Sequence, residues 1–257
     1  MGKPDIIYED NDIIVCYKPA GIATQTRRIG QQDMESFIRN YRAAKNEPPY
    51  VGIVHRLDQP VEGVMVFAKN QKAAASLSRQ IKEHTTEKYY HAASRGHGVS
   101  GAAVEDEEES FQDKSAYASK VPGDDKKEDI HDPAWHTLTD YISFDKRTNT
   151  SKITSEKDRQ AKKAVLQYRI LSNECNKTEF DIKLLTGRHH QIRLQLANIG
   201  YPLIGDTKYG KPASSNSGTG SKSGRTGSCV REQLALCSYK IVFDHPATGE
   251  RMTFELP

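Results

Sequence analysis

The stretch His-Arg-Leu-Asp-Gln-Pro-Val-Glu-Gly at residues 55–63 is followed directly by the apolar run Val-Met-Val-Phe-Ala at residues 64–68. Three side chains that carry charge or protons, His55, Arg56 and Asp58, therefore stand just before a predicted buried strand. A polar loop on a rigid apolar strand holds a reactive side chain on a fixed support. The stretch predicts either a catalytic carboxylate at Asp58 or a structural ion pair between Arg56 and Asp58, and spacing alone favours the ion pair.

A second group of polar side chains, Thr-Gly-Arg-His-His-Gln-Ile-Arg at residues 186–193, lies between a predicted strand and a predicted helix. Two arginines and two histidines at a helix start would attract an anion, because the first backbone N–H groups of a helix are free. A zinc site built from His189 and His190 is not expected, since neighbouring residues on a helix point in different directions. The stretch therefore predicts contact with phosphate or carboxylate.

A third group, Lys88-Tyr89-Tyr90, lies on a predicted strand, where adjacent side chains face opposite sides of the sheet. One tyrosine can therefore line a site and stack on an unpaired base while the other packs elsewhere. A purely structural role for both tyrosines is equally compatible with the sequence.

The remaining pattern predicts an α+β protein. Short alternating segments predict many strands, including a hairpin of residues 164–171 and 178–185, and helical spacing predicts about three helices. We expect a single catalytic domain over residues 1–257. It would carry an acidic, mobile insertion at 97–135 and a flexible Gly/Ser-rich loop at 211–228.

The net charge of +3 conceals an uneven distribution. Residues 97–135 carry 11 Asp or Glu against four Lys, whereas the rest of the chain carries 33 Lys or Arg against 23 Asp or Glu. A basic body suits a polyanionic partner such as nucleic acid, although basic residues also serve simply to solvate a surface.

Several function classes lack their sequence signals. The four cysteines form no C-x-x-C pair, and neither a P-loop nor a Rossmann glycine motif is present, so we expect no metal and no bound cofactor. No apolar run is long enough to cross a membrane, and the first residues lack the apolar core of a signal peptide. We therefore expect a cytoplasmic protein with no membrane partner.

Together these motifs resemble those of the RluA-type pseudouridine synthases. The resemblance rests on residues 55–63, 88–90, 186–193 and 200–210, which occur in the order typical of that family. It implies the pseudouridine synthase fold, an extended, mixed, mostly antiparallel sheet with flanking helices and a central cleft. It also implies isomerisation of uridine in ribosomal or transfer RNA by a monomer that needs neither cofactor nor metal.

By position, the resemblance implies that Asp58 is the catalytic aspartate, Tyr90 the active-site tyrosine and Arg193 the basic partner of Asp58. Asp58 would act as a nucleophile on a uridine flipped out of its stack. We expect further substrate contacts from six residues: Lys18, His55, Arg56, Arg188, His190 and Gln191.

Four positions depart from the pattern common in that family. Val61-Glu62 stands where Thr-Ser is usual, and His189 and Gln195 replace Thr and His. Glu62 would add negative charge near RNA. Many relatives also carry an accessory N-terminal RNA-binding domain, whereas this sequence starts at the predicted catalytic strands. The rival interpretations are an RNA-binding module without catalysis and a phosphate-handling hydrolase, although the hydrolase would need a metal site or a P-loop.

Overall fold

The computed structural model describes residues 4–26, 30–95, 134–174, 176–210 and 232–257. Within these residues, eleven strands join one sheet and three helices pack against it. The Gly/Ser-rich loop expected at 211–228 lies outside the described residues, as does the acidic insertion expected at 97–135 except for its last two residues.

The elements follow one another in this order: β1 (Asp5–Glu9), β2 (Ile13–Lys18), α1 (Met34–Ala44), β3 (Gly52–Ile53), β4 (Glu62–Ala68), α2 (Gln71–Lys82), β5 (Glu87–Arg95), β6 (His136–Asp145), β7 (Thr150–Thr154), β8 (Lys162–Glu174), β9 (Lys177–Leu184), α3 (Gln191–Asn198), β10 (Leu236–Asp244) and β11 (Arg251–Glu255).

The sheet runs in the order β1-β2-β4-β10-β5-β9-β8-β6-β7, with β3 beside β4 and β11 beside β10. Among the described strands, only β4 and β10 pair in parallel, and all other pairs are antiparallel. The predicted α+β class and mostly antiparallel mixed sheet are therefore confirmed. The hairpin expected from residues 164–171 and 178–185 is β8–β9.

Both faces of the central strands are buried, because apolar residues follow one another along β2 and β4. Ile14 and Cys16 belong to one apolar cluster, which includes residues of α1 and α3. Ile13 and Val15 belong to a second cluster, which includes residues of α2. The helices thus cover opposite faces, and the period of two along a strand assigns each side chain to its face.

Gly63 determines how closely β4 and β10 approach one another. Its φ of +138° is a conformation that L side chains rarely adopt, and an added Cβ would lie 2.3 Å from the Ser238 carbonyl oxygen. Glycine is therefore required where the two parallel strands meet, and the loop before β4 comes to lie beside β10. No helix in the described ranges is long and apolar enough to cross a membrane.

Candidate active site

A cavity of about 560 Å³, including its open mouth, lies over the middle of the sheet. The lining combines the loop before β4, strand β5 and the turn before α3, and includes His55, Arg56, Leu57, Asp58, Val61, Lys88, Tyr90, Arg188, His190, Gln191 and Arg193. The three polar stretches of the sequence, residues 55–63, 88–90 and 186–193, therefore all line this cavity.

Backbone hydrogen bonds fix the loop that carries Asp58. The Thr24 hydroxyl donates to the Leu57 carbonyl at 3.0 Å, and the Leu57 N–H donates to the Thr24 hydroxyl at 3.2 Å. The Val61 N–H donates to the Asp58 carbonyl at 3.0 Å, and the Gly21 N–H donates to the Gln59 carbonyl at 2.8 Å. Asp58 therefore lies on a supported loop although it is outside any strand.

Lys18 belongs to this support and does not line the cavity, and the substrate contact expected for it stays a prediction. The residue is inaccessible to solvent, and its ammonium donates to the carbonyls of Ile22 at 2.6 Å, Pro19 at 3.1 Å and Gln59 at 3.2 Å. Burial lowers the pKa of Lys18 to about 8, although the carboxylates of Asp58 and Glu62 oppose this shift. Lys18 holds the Asp58 loop from below.

The Asp58 carboxylate is 30% exposed and faces two side-chain nitrogens. Arg193 Nη1 and His190 Nε2 each lie 3.5 Å from its Oδ2 atom. These distances exceed those of ordinary hydrogen bonds, and contacts of this kind often tighten only when substrate binds. The predicted proximity of Arg193 and Asp58 is present.

The strongest partner of Arg193 is Asp206, which sequence reasoning did not identify. Arg193 Nε and Nη2 each donate to one Asp206 oxygen at 2.7 Å, and the Asp206 side chain is completely buried. Burial alone would raise the pKa of Asp206, but hydrogen bonds and charge from Arg193 lower it. Burial alone would lower the pKa of Arg193, but Asp206 and then Asp58 raise it. Both groups are therefore ionised.

Tyr90 lines the cavity from β5, whereas Tyr89 packs against Tyr239 on the opposite side of the sheet. This agrees with the alternation along a strand. Burial raises the pKa of Tyr90, and the side chain of Ser238 opposes this shift. Tyr90 is therefore a neutral, nearly buried aromatic ring at physiological pH.

Lys88 also lines the cavity, two residues before Tyr90 on the same side of β5. Burial lowers the pKa of its ammonium. Within the described residues it has no ion pair, which is costly for a largely buried cation. Sequence reasoning named Lys88 only as the neighbour of two tyrosines.

The turn before α3 differs from the anion site expected at residues 186–193. His190 adopts a left-handed φ of +54°, is 8% exposed, and contacts the Tyr209 hydroxyl through Nδ1 at 2.9 Å. Burial, and next the charge of Arg193, lower the pKa of His190 to about 3. His190 is therefore neutral and hydrogen-bonded inside the protein, and it also lines the cavity. The substrate contact expected for it stays a prediction.

Gln191 is also used inside the protein. Its side-chain oxygen accepts from the Thr186 hydroxyl at 2.8 Å and from the Arg188 N–H at 2.9 Å, and its nitrogen donates to the Val165 carbonyl at 3.1 Å. The amide connects the turn to β8, and the substrate contact expected for Gln191 stays a prediction. Arg188 remains partly exposed at the cavity rim, where Nε donates to the Lys163 carbonyl at 2.9 Å.

His55 and Arg56 have separate roles on the first stretch. His55 Nε2 accepts the Val66 N–H at 3.1 Å, and burial, followed by the charge of Lys88, lowers its pKa to about 3. Arg56 is exposed at the rim and donates to Gln25 Oε1 at 2.9 Å. The alternative of a structural ion pair between Arg56 and Asp58 is therefore wrong.

Glu62 does not face the Asp58 cavity. Its Oε2 accepts from the Tyr17 hydroxyl at 2.9 Å and from the Gln233 amide at 3.2 Å. The negative charge that the sequence suggested near the substrate thus lies elsewhere. Within the described part of the chain, the group of side chains with metal-ligating spacing is Asp10, Asp12 and His245, and none of these lines the cavity.

A sequence profile of the family described as RNA pseudouridylate synthase matches residues 12–198. The chain is 29% identical to an uncharacterised RNA pseudouridine synthase of Bacillus subtilis, over all of this chain and 69% of that protein. It is also 29% identical to a ribosomal large subunit pseudouridine synthase D of Neisseria meningitidis, over 98% of this chain and 58% of that protein. The chain thus spans a little over half to two thirds of the length of these relatives.

A solved structure with a similar fold is human RNA pseudouridylate synthase domain containing 1. It superimposes with a TM-score of 0.63 at 22% identity, over 99% of this chain and 83% of that chain. At this identity the similarity establishes a common fold.

Proposed function

The chain belongs to the RNA pseudouridylate synthase family, and from this premise we propose that it isomerises uridine in RNA to pseudouridine with Asp58 as the catalytic carboxylate. Members of this family are isomerases that act on RNA. One observation carries the proposal for Asp58: an accessible carboxylate on a fixed loop faces a buried arginine 3.5 Å away, in a cavity lined by a buried tyrosine.

The reaction breaks the glycosidic C–N bond and rejoins the same uracil to the same ribose through a ring carbon. A carboxylate nucleophile can hold one of the two fragments covalently, and this divides one difficult step into two easier ones. The Arg193 guanidinium lies 3.5 Å from the Asp58 carboxylate and can orient it towards the substrate. Tyr90 offers an aromatic surface for the uracil ring.

The target uridine has to leave its base stack to reach Asp58. Extrusion of a base costs a few kcal/mol, and less when the base is already in a single-stranded loop. Arg56 and Arg188 at the rim, and Lys88 inside the cavity, are the cations that we expect to contact RNA. Ribosomal RNA is the first substrate to test, because the Neisseria meningitidis relative is named for the ribosomal large subunit; transfer RNA is the second.

Replacement of Asp58 by Asn tests this proposal, because it removes the nucleophile but keeps the size of the side chain. We expect no detectable pseudouridine in ribosomal or transfer RNA transcripts incubated with the variant, as measured by mass spectrometry. Glu62→Gln is the matched control, since it neutralises a carboxylate four residues away that does not line the cavity, and it should retain activity.

Activity of Asp58→Asn equal to that of the wild type would exclude the carboxylate mechanism. A wild-type protein that binds these RNAs but produces no pseudouridine would favour the rival interpretation of an RNA-binding module without catalysis.

We also propose that residues 1–257 form one catalytic domain that acts as a cytoplasmic monomer. Strands on both sides of the acidic and the Gly/Ser-rich segments belong to one sheet, which supports a single domain. One chain supplies Asp58, Tyr90 and Arg193, so the site needs no second copy.

A further inference from the structure

A chain of polar contacts reaches Asp58 through two residues outside those assigned to catalysis, Tyr209 and His190. The Ser151 N–H donates to the Tyr209 hydroxyl oxygen at 2.9 Å. The same oxygen lies 2.9 Å from His190 Nδ1, and His190 Nε2 lies 3.5 Å from Asp58 Oδ2. We propose that Tyr209 fixes the tautomer of His190, so that a neutral Nε2–H group faces Asp58 and positions its carboxylate.

The direction of each contact follows from the number of hydrogens available. A backbone N–H can only donate, so the Tyr209 oxygen accepts from Ser151. The phenol has one hydrogen of its own, and His190 Nδ1 lies at hydrogen-bonding distance from it. The hydroxyl of Ser151 lies 2.9 Å from both the carbonyl oxygen and Nδ1 of His189. Since His190 Nδ1 is the acceptor that lies within hydrogen-bonding distance of the phenol, the proposal assigns Tyr209 as the donor to His190 Nδ1.

An imidazole whose Nδ1 accepts a hydrogen bond carries its proton on Nε2 when it is neutral. His190 is neutral because burial and the nearby Arg193 disfavour its charged form. Its Nε2–H then points to the Asp58 oxygen that Arg193 also faces. Both nitrogens thus lie against the same oxygen of Asp58.

Two further observations indicate that the His190 ring is held in place. Its backbone has the left-handed φ of +54°, which non-glycine residues seldom adopt and which marks a constrained position. The ring also lies between His189, at a centroid distance of 3.7 Å, and the edge of Tyr209, at 5.6 Å. Because its backbone and the neighbouring rings fix the position of the His190 ring, the tautomer is the property that Tyr209 can control.

The tautomer can be measured directly by nitrogen-15 NMR on protein labelled at its nine histidines. His190→Gln identifies the His190 signals by their loss. We expect the Nε2–H tautomer in the wild type and a shift towards Nδ1–H in Tyr209→Phe, which removes only the hydroxyl. A wild-type His190 in the Nδ1–H form, or an unchanged tautomer in Tyr209→Phe, would overturn the proposal.

The expected effect of Tyr209 on catalysis rests on the proposed function, whereas the tautomer of His190 does not. Experiments can therefore contradict one of these two claims without the other. We expect Tyr209→Phe to lower kcat roughly tenfold with little change in KM, as for other hydrogen bonds that orient a functional group. Glutamine at position 190 presents an N–H group without a choice of tautomer. Adding Tyr209→Phe to His190→Gln should therefore have much less effect than in the wild type.

Tyr201→Phe is the matched control, because it removes a hydroxyl from a tyrosine that packs against Phe180 and does not line the cavity. It should leave both the His190 tautomer and kcat unchanged. Equal losses from Tyr209→Phe in the wild-type and His190→Gln backgrounds would indicate that Tyr209 acts through packing alone, and would overturn the positioning role.

Discussion

Arg193 divides its three guanidinium nitrogens between two carboxylates. Nε and Nη2 bind Asp206 at 2.7 Å, and Nη1 is directed to Asp58 at 3.5 Å. A planar guanidinium held at two nitrogens has no remaining rotation, so the third nitrogen has a fixed position. Asp206 thus determines where Arg193 meets Asp58, although Asp206 itself does not line the cavity.

Replacement of Asp206 by Asn should destabilise the protein and inactivate the proposed site. It leaves a buried guanidinium without its counter-charge, and loss of one partner of a buried ion pair costs about 3 to 5 kcal/mol. The free energy of unfolding, measured with urea at neutral pH, should fall by this amount. Pseudouridine formation should fall in parallel, because Nη1 loses its fixed position.

Asp244→Asn provides the comparison for this variant. The Asp244 carboxylate pairs with Arg251 at 3.1 Å, but both side chains are about 40% exposed, so its loss should cost less than about 1 kcal/mol. If the two variants were equally stable, Asp206 would not be the main partner of Arg193.

Several residues of the site could be predicted from the sequence because local motifs carry them. Asp58, Tyr90 and Arg193 stand in recognisable stretches, and the structure brings all three to one cavity. The roles of Lys18 and His190 could not be predicted in this way. Lys18 is defined by three carbonyls that surround it, and His190 by a hydroxyl 19 residues further along the chain.

At the level of single elements, β5 places both Lys88 and Tyr90 on its cavity side. β5 is a central strand between β10 and β9, where Tyr90 is buried and Lys88 is half-buried. An ammonium in such a place, without an ion pair among the described residues, is suited to an oxygen of the substrate. Both an RNA phosphate and a uracil carbonyl offer such an oxygen.

Replacement of Lys88 by Met should therefore weaken RNA binding. The change keeps the length of the side chain but removes its charge, so KM should rise several-fold while kcat changes less. If the ligand is a phosphate, the slope of log affinity against log salt concentration should also decrease by about one. Filter binding at several salt concentrations, together with steady-state kinetics, measures both effects.

Lys183→Met serves as the matched variant for this comparison. Lys183 lies on β9, bonds Glu87 at 3.0 Å and faces the Tyr89 ring on the side of the sheet away from the cavity. The substitution removes the same charge from the adjacent strand, but outside the cavity, so RNA affinity should stay close to that of the wild type. Equal losses in both variants would mean that Lys88 acts only through net charge.

Sequence patterns predicted the elements better than their arrangement. The alternation in residues 164–171 and 178–185 identified the β8–β9 hairpin because its partners are close in sequence. The parallel pairing of β4 and β10 joins Gly63 to Ser238, and no local pattern records a contact over such a distance. The glycine at position 63 is a trace of this pairing in the sequence, because the pairing requires a conformation that only glycine adopts readily.

On the scale of the whole molecule, side-chain contacts connect the first two strands of the chain, β1 and β2, with the last two, β10 and β11. The His245 ring, in the turn between β10 and β11, lies 2.9 Å from Asp10 Oδ2 in the turn between β1 and β2. The Tyr8 ring packs against Phe254 at a centroid distance of 5.4 Å. The site residues between these ends are thus held by one connected sheet, and changes in their charge should affect global stability.

The stability of the protein should therefore decrease in mild acid. His55 and His190 have folded-state pKa values of about 3, whereas an unfolded histidine has its ordinary value of 6.5. Between these values the unfolded chain binds more protons, so the free energy of unfolding rises with pH in this window and falls as the pH drops below 6.5. At pH 5 the loss should approach about 2 kcal/mol for each histidine.

Urea unfolding at pH 7.5 and pH 5.0 measures this loss, and His55→Gln separates the contribution of one histidine. Glutamine can still accept the Val66 N–H that His55 Nε2 accepts at 3.1 Å, but it does not titrate. The decrease between the two pH values should thus be about 2 kcal/mol smaller in the variant. The same decrease in both proteins would mean that His55 is already protonated, or is not buried, in the folded state.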